Sequence, residues 1–318
     1  MNSEAGENPF NAHVEFFSHI SYRELSDRWN GRHDPNFKYS EKDMPSFEDL
    51  LGRGFRFIPS REQHTMLRVS DNANVAYRVP SSDISQNGKH INAFMNSMTK
   101  LNYEVNGENG GGARGLKRVA QLCAWIIFDT KGDPVISAAF KKQRREGEQF
   151  LNANQELWKR AGEILKVLFP GKYQMLLRGN LPKRLRRFAK PWMGCSVNIG
   201  VPKEPVRTKP HKDGKGAIQG RSYLCCFGDF TGGHLILWEL KAILELRAGD
   251  VVLFADHILT HSNTTVEGVR HSMVAFTHQR VLEWIEENIG YNNEKNQRVK
   301  KRRQKAQEEK QKGGKYRK

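Results

Sequence analysis

Apolar and polar positions follow a helical period in one region of the chain and a strand-like pattern in another. Between residues 146 and 168 the apolar side chains recur at helical spacing, which predicts one amphipathic helix. The Pro170-Gly171 pair predicts the end of that helix. Just upstream, residues 124–139 hold two apolar runs on either side of a turn cluster, which predicts a β-hairpin. Residues 85–115 are rich in Asn and Gly, which predicts a loop.

The second half of the chain carries short apolar runs separated by turn residues. These runs occupy residues 223–227, 235–239, 243–246, 251–254 and 273–276. The Arg-Ala-Gly-Asp segment at 247–250 predicts a hairpin turn between two of the strands. Short strands at intervals of roughly 8–12 residues are typical of a sandwich or a jelly roll. Together with the helical signal upstream, the pattern indicates an α+β protein.

The composition divides the chain into three parts. Residues 1–65 are polar with scattered aromatics and form a predicted N-terminal extension. Residues 66–290 form the predicted folded domain, with a catalytic core at about 190–280. Residues 291–318 form a predicted basic and disordered tail, which carries twelve Lys and Arg against three Glu. A basic run of this kind indicates a nuclear address or a tether to nucleic acid.

The formal net charge is +17 over 318 residues, which indicates a polyanionic partner, most simply nucleic acid. No apolar run reaches the roughly 18 residues that a membrane span needs, and residues 1–10 lack the pattern of a secretory signal. The four cysteines form no Cys-x-x-Cys pair, which argues against a disulfide scaffold or a structural zinc site. We expect a nuclear, reducing environment and a monomer with no membrane partner.

A His-x-Asp pair at His211 and Asp213 is the first candidate for chemistry. Residues i and i+2 of a strand face the same side, so these two side chains can bind one ion together. Two His and one carboxylate on one face of an ion form the Fe(II) arrangement used for oxygen activation. The candidates for the third ligand are His257, His261, His271 and His278. His257 and His261 follow the apolar run at 251–254, and we favour His261.

The alternation of the last strand divides its side chains between two faces. If Arg270 faces the interior of the barrel, then Ser272 does too and His271 faces away, so His271 is a poor ligand. A guanidinium binds a carboxylate bidentately, and a hydroxyl adds a hydrogen bond. The Arg270 and Ser272 pair therefore predicts a site for the distal end of a dicarboxylate.

Five stretches in the second half carry a family resemblance. They are KPHKD at 209–213, GDFTGGHLILWEL at 228–240, AGDVVLF at 248–254, LTHSN at 259–263 and VRHSMVAFTH at 269–278. Asp213 and His261 are 48 residues apart, and His261 and Arg270 are 9 apart. In motif, order and spacing this region resembles the 2-oxoglutarate- and Fe(II)-dependent oxygenases. Within them it is most similar to fungal and protist members of the TET/JBP group of nucleic-acid base dioxygenases.

The resemblance implies a double-stranded β-helix, a jelly roll with helices packed on one sheet. It implies Fe(II), 2-oxoglutarate and O₂ as cofactor and cosubstrates. The residues that it assigns to the metal are His211, Asp213 and His261. Those that it assigns to 2-oxoglutarate are Arg270, Ser272, Asn198 and Arg207. His278 lies where the family pattern places a His against the target base.

A methyl group inside a duplex is out of reach of a buried iron, so the target nucleotide must be flipped out. Phosphate contacts from a basic run ahead of the catalytic strands would hold the distorted duplex. This run comprises Arg178, Lys183, Arg184, Arg186, Arg187 and Lys190. We take Arg184 and Arg187 as its substrate contacts. Phe188 and Trp192 are candidates for base stacking, but we expect core packing for both.

The sequence thus predicts a dioxygenase that oxidises 5-methylcytosine in DNA to 5-hydroxymethylcytosine and further oxidised forms. N6-methyladenine, thymine and RNA bases stay open, because many relatives show a polar stretch with Asn or Asp after Asp213, whereas residues 214–217 carry no acidic side chain. Alternatives of another class are a 2-oxoglutarate-dependent protein hydroxylase and a non-catalytic nucleic-acid-binding protein. The basic charge favours the base-acting group, and the intact ligand set with Arg270 argues against loss of catalysis.

Overall fold

The structure, a computed structural model, describes residues 8–27, 44–106, 117–126, 132–182, 185–202 and 208–288. The strands are β1 (His13–Phe17), β2 (Arg56–Ile58), β3 (Thr65–Val69), β4 (Asn74–Val79), β5 (Glu104–Asn106), β6 (Lys117–Trp125), β7 (Val135–Ile136), β8 (Gly194–Ile199), β9 (Ser222–Gly232), β10 (Leu235–Leu237), β11 (Ala242–Leu244), β12 (Val251–Phe254), β13 (His261–Asn263) and β14 (Val266–Phe276). The helices are α1 (Tyr22–Asp27), α2 (Phe47–Gly52), α3 (Ser81–Ile84), α4 (Lys89–Met98), α5 (Ala138–Lys142), α6 (Arg144–Ala153), α7 (Gln155–Leu168), α8 (Pro170–Leu177) and α9 (Gln279–Glu287). In this part of the chain, no helix has the length and apolar character to cross a bilayer. The predicted tail at 291–318 lies outside the described residues.

The described strands form two sheets. The larger has ten strands in the order β1-β3-β4-β12-β9-β14-β8-β6-β5, with β7 paired to β6. The smaller has four strands in the order β13-β10-β11-β2. The pairs are antiparallel except that β1 runs parallel to β3 and β2 runs parallel to β11. This mixed architecture confirms the predicted α+β jelly roll with helices.

Alternate side chains of the larger sheet enter two separate cores. On β9, Tyr223 packs with the helical layer that includes Phe94 and Trp158. The next residue, Leu224, points the other way and packs with Leu237 of the smaller sheet. Each fully buried side chain of this size contributes about 1.5–3 kcal/mol of transfer free energy. The larger sheet is therefore covered on both faces, by helices outside and by the smaller sheet inside.

The helix predicted at 146–168 is in fact two helices, α6 and α7. The break falls at Asn154, where φ is −97° and ψ is 15°. The Asn154 side-chain amide donates to the carbonyl of Phe150 over 2.8 Å, in competition with the helical backbone. The end at Leu168 agrees with the prediction, and Pro170 lies in the first turn of α8. The apolar period continues across the break, so the pattern alone does not reveal it.

The turn at 247–250 does not form a hairpin. It joins β11 of the smaller sheet to β12 of the larger one, so the predicted hairpin is wrong. Asp250 closes the turn locally, because its N–H donates to the carbonyl of Arg247 and its carboxylate accepts from the N–H of Arg247, both over 3.1 Å. The turn chemistry is as expected, but it does not encode which sheet each strand joins.

Two segments predicted as loop or extension contribute regular elements to the body. The helix α4 lies inside the predicted loop at 85–115 and buries Phe94 and Met98, which are four residues apart, so the loop prediction is wrong there. The strands β1 and β2 lie inside the predicted extension at 1–65. The first belongs to the larger sheet and the second to the smaller sheet. Among the described residues, the predicted boundary at 65 therefore separates no independent packing unit.

The hairpin predicted at 124–139 is present. Ala124 lies opposite Ile136, and Trp125 lies opposite Val135, in the antiparallel pair of β6 and β7. Residues 127–131 of its turn lie outside the described residues. The pairing fixes Trp125 at the end of β6.

Candidate active site

The structure brings His211, Asp213 and His261 together. The N–H of His211 donates to the carbonyl of His261 over 3.1 Å, and the N–H of His261 donates back to the carbonyl of His211 over 2.9 Å. The N–H of Asp213 donates to the carbonyl of Asp256 over 3.0 Å. Backbone hydrogen bonds therefore hold the two ligand-bearing segments side by side.

The ligand atoms of this cluster suit Fe(II). Nε2 of His211 lies 3.9 Å from Oδ1 of Asp213, and Nε2 of His261 lies 3.8 Å from Oδ2 of Asp213. The three ligand atoms all lie within 4.8 Å of one another. Nδ1 of His211 donates to the carbonyl of Lys209 over 2.7 Å, and Nδ1 of His261 donates to that of Leu259 over 3.0 Å. These bonds assign the ring proton of each His to Nδ1, so each Nε2 can act as a metal ligand, and the donor set fits the two-His, one-carboxylate iron site.

Arg270 is buried, and the protein satisfies its guanidinium only in part. The residue is 6% exposed. One Nη donates to Sγ of Cys226 over 2.8 Å, and Nε has no hydrogen-bond partner among the described residues. A thiol is a weak acceptor, and a buried cation without a strong partner is costly. The arrangement therefore fits a carboxylate ligand such as the distal end of 2-oxoglutarate.

The two faces of β14 carry the side chains that the alternation predicts. The hydroxyl of Ser272 accepts from the side-chain amide of Asn198 over 3.2 Å, across the pairing of β14 with β8. His271 lies on the other face, where its ring centroid is 6.4 Å from that of Phe94 in the helical layer. Ser272 thus shares the inner face with Arg270, whereas His271 is excluded from the metal cluster.

His278 lies just past the end of β14 beside two aromatic rings. Its ring centroid is 5.4 Å from that of Phe276 and 5.9 Å from that of Trp125, and all three side chains are half-buried. His278 also forms a β-bridge with Gly216, three residues after the metal ligand Asp213. These three rings are called the aromatic cluster below, and the bridge joins the backbone of His278 to the turn that follows Asp213. Sequence reasoning missed two of them, because an aromatic residue at a strand end indicates core packing as readily as a site.

The guanidinium of Arg187 binds backbone carbonyls of the protein itself. Its Nε donates to the carbonyl of Leu176 over 2.8 Å, and one Nη donates to the carbonyl of Arg178 over 2.9 Å, at the end of α8. Burial lowers the pKa of Arg187 from its ordinary value. Arg184 and Arg207 lie outside the described residues, so their contacts with substrate and cosubstrate stay predictions.

The two aromatic residues that follow the basic run belong to the core. Phe188 is 6% exposed and Trp192 is fully buried. The Phe188 ring meets that of Phe140 edge-on at 4.9 Å, and the indole N–H of Trp192 donates to the carbonyl of Arg221 over 2.7 Å. The structure thus places both in the core, as expected, and neither is available to stack a base.

His257 lies four residues before His261 and is fully enclosed. Neither ring nitrogen has a hydrogen-bond partner among the described residues. Burial, reinforced by the positive charges of Arg221, Lys172 and Lys212, lowers the pKa of His257 to about 3. His257 is therefore neutral near pH 7, and it does not join the metal cluster.

We expect His257 to make the protein less stable in acid. Its pKa is about 3 in the folded state and about 6.5 in the unfolded state, so between these values only the unfolded state binds the proton. The contribution of neutral His257 to the unfolding free energy is therefore fully present above about pH 6.5 and falls as the pH drops below it. Relative to His257→Met, the wild type should lose about 2 kcal/mol of unfolding free energy between about pH 7 and pH 5. Urea unfolding at both pH values measures this, and parallel losses in the two proteins would contradict it.

The facing sheets, the His-Asp-His cluster and the buried arginine define a 2-oxoglutarate- and Fe(II)-dependent oxygenase. Residues 126–279 match the family model Tet_JBP, described as the oxygenase domain of the 2OGFeDO superfamily. The matched region spans just under half of the chain and makes it similar to the Tet_JBP oxygenase domain. The comparison with curated proteins gives no match.

Solved structures are similar to this chain at low sequence identity. NgTET1 in complex with 5mC DNA is 16% identical, with a TM-score of 0.53 over 71% of this chain and 83% of that one. A 2OG-Fe(II) oxygenase from Burkholderia pseudomallei is 13% identical, with a TM-score of 0.43 over 63% and 84%. The collagen prolyl hydroxylase of Paramecium Bursaria Chlorella virus-1 is 9% identical, with a TM-score of 0.35 over 64% and 94%. At such identities, the NgTET1 match shows a shared fold and nothing more specific.

Proposed function

We propose that this protein oxidises the methyl group of a flipped-out base, 5-methylcytosine in DNA, to the hydroxymethyl and further oxidised forms. The aromatic cluster of Trp125, Phe276 and His278 carries the proposal, because a backbone bridge from His278 links it to the turn that follows the metal ligand Asp213. Aromatic faces stack on bases, and hydrogen bonds read the edge of a flipped base. The family match and the fold shared with a structure solved with 5mC DNA support the same substrate.

Each part of the site has a role in this proposal. Fe(II) held by the His-Asp-His cluster, together with 2-oxoglutarate and O₂, supplies the oxidising power for methyl hydroxylation. Arg270 holds the distal carboxylate of 2-oxoglutarate, and Ser272 and Asn198 line the same face of the sheet. The aromatic cluster holds the base and excludes water from the reacting methyl group.

The partner in this proposal is double-stranded DNA, and the location is the nucleus. The net charge of +17 and the basic residues at 292–318 support both. Neutralisation of DNA phosphates releases counterions, so affinity for DNA should fall steeply as salt is raised.

A product assay tests the proposal. The protein is incubated with Fe(II), 2-oxoglutarate and duplexes carrying 5-methylcytosine, N6-methyladenine or thymine, and the nucleosides are counted by mass spectrometry. We expect hydroxymethyl-, formyl- or carboxylcytosine from the first duplex and none from His211→Ala. Turnover of another base alone would keep the same reaction and identify that base as the substrate. Succinate without any modified base would point to RNA or protein, and absence of both succinate and iron binding would leave a binding protein.

His278→Ala should weaken substrate use and spare the metal centre. Loss of the imidazole removes one ring from the aromatic cluster, so KM for the methylated duplex should rise by roughly tenfold. The metal ligands are untouched, so Co(II) binding should stay the same. His13→Ala, at an exposed position on β1, is the control. Initial rates against DNA concentration measure the effect, and an unchanged KM would remove His278 from the base site.

A further inference from the structure

We infer that Glu239 and Lys212 act together as positioning residues for the metal ligands, by joining the two chain segments that carry them. Lys212 lies between the first two ligands in sequence, and Glu239 holds Thr260, the residue before the third. The inference concerns metal binding alone, so it stands or falls separately from the choice of substrate.

The turn after β10 holds both neighbours of His261. The backbone N–H of Trp238 donates to the carbonyl of Thr260 over 3.0 Å, and its indole N–H donates to the hydroxyl of Ser262 over 2.9 Å. The Glu239 carboxylate accepts the backbone N–H of Thr260 over 2.8 Å and its hydroxyl over 2.6 Å. Together with the pairing of β10 and β13, these bonds fix the backbone on both sides of the ligand.

Lys212 extends the same connection to the other ligand segment. Its Nζ lies 3.3 Å from Oε1 of Glu239, the same oxygen that accepts the Thr260 hydroxyl. The side chains of Lys212 and Glu239 are only 7% and 8% exposed. A single carboxylate therefore links the segment of His211 and Asp213 to that of the third ligand.

The location of this ion pair favours a role in geometry over one in stability. A buried salt bridge is seldom more stabilising than packed apolar side chains of the same volume. Here the pair connects two segments that are far apart in sequence and that together must present three ligand atoms to one ion. Contacts outside the ligand set orient the ligands, and their loss typically weakens metal affinity by about 10- to 100-fold. In this inference, the LWEL segment that contributes to the family resemblance holds the two ligand-bearing segments together through Glu239.

Titration of the metal-free, full-length protein with Co(II), followed by visible absorption, tests the inference without any substrate. Glu239→Gln and Lys212→Met should each raise the Kd for Co(II) by about 10- to 100-fold. Lys212→Arg keeps the charge and the donors, so it should restore affinity close to that of the wild type. Arg160→Met cuts an ion pair of 2.9 Å with Asp83 in the helical layer and should leave the Kd unchanged.

The direction of the change in Lys212→Met separates positioning from simple electrostatics. If only charge mattered, loss of a cation near the site would tighten Co(II) binding. The inference requires weaker binding instead, so tighter or unchanged binding by a folded Lys212→Met protein would overturn it. Thermal unfolding of the metal-free proteins shows which variants fold. If Lys212→Met does not fold, Thr260→Val removes only the hydroxyl bound to Glu239, and an unchanged Kd there overturns the inference.

Discussion

Asp213→Ala should lose iron binding and reduce turnover at least about 100-fold, more than is typical for a contact outside the ligand set. Asp213 supplies the only carboxylate of the His-Asp-His cluster. Its two oxygens face Nε2 of His211 and Nε2 of His261 at 3.9 and 3.8 Å, so no other group of this cluster can replace them. Imidazole ligates a metal in its neutral form, so neither remaining His offsets the charge of the ion.

The matched control is Asp229→Ala, which removes an exposed aspartate from β9. Both variants lose one negative charge, so the difference between them isolates the effect of ligation. Fe(II) bound per protein and succinate formed per minute are the two measurements. An Asp213→Ala protein that retains iron and succinate formation would exclude this cluster as the metal centre.

The metal cluster could be predicted because its determinants are local. His211 and Asp213 are two residues apart, so an extended segment alone presents both to one side. The placement of Arg270 follows from the same alternation, which puts His271 on the opposite face. The local pattern was not sufficient to identify the third ligand. Three of the four candidate His residues had to be rejected, and the family motifs favoured His261.

The side-chain contacts that hold the metal ligands and Arg270 in place could not be predicted, because they join residues far apart in sequence. Nothing in the pattern around Lys212 indicates that its charge meets Glu239, and nothing around Cys226 indicates that its thiol touches Arg270. The same limit explains the wrong hairpin at 247–250, since turn residues specify a turn and leave the choice of sheet to packing of the whole domain. The break at Asn154 was missed because the apolar period continues through it.

Gly233→Ala should raise KM for 2-oxoglutarate by roughly 10- to 100-fold, because a displacement of about 1 Å at a binding group has effects of this size. Gly233 has φ +63°, and a Cβ there would lie 2.6 Å from Cδ and 2.9 Å from Nε of Arg270. Real side chains do not tolerate such distances, so the guanidinium must move. Val266 stands at 3.0 Å on another side of the added methyl group and limits the alternatives.

Backbone strain alone predicts a different result, and Gly54→Ala separates the two causes. Gly54 has φ +80°, so alanine there bears a similar left-handed strain of about 1–2 kcal/mol, but no atom lies within 4 Å of the added Cβ. Both variants should therefore lose stability in urea, whereas only Gly233→Ala should need more 2-oxoglutarate for half-maximal succinate formation. An equal KM in the two variants would mean that Arg270 does not hold the cosubstrate. A raised KM in Gly233→Ala alone would tie the glycine pair that precedes β10 to cosubstrate binding through the arginine that it accommodates.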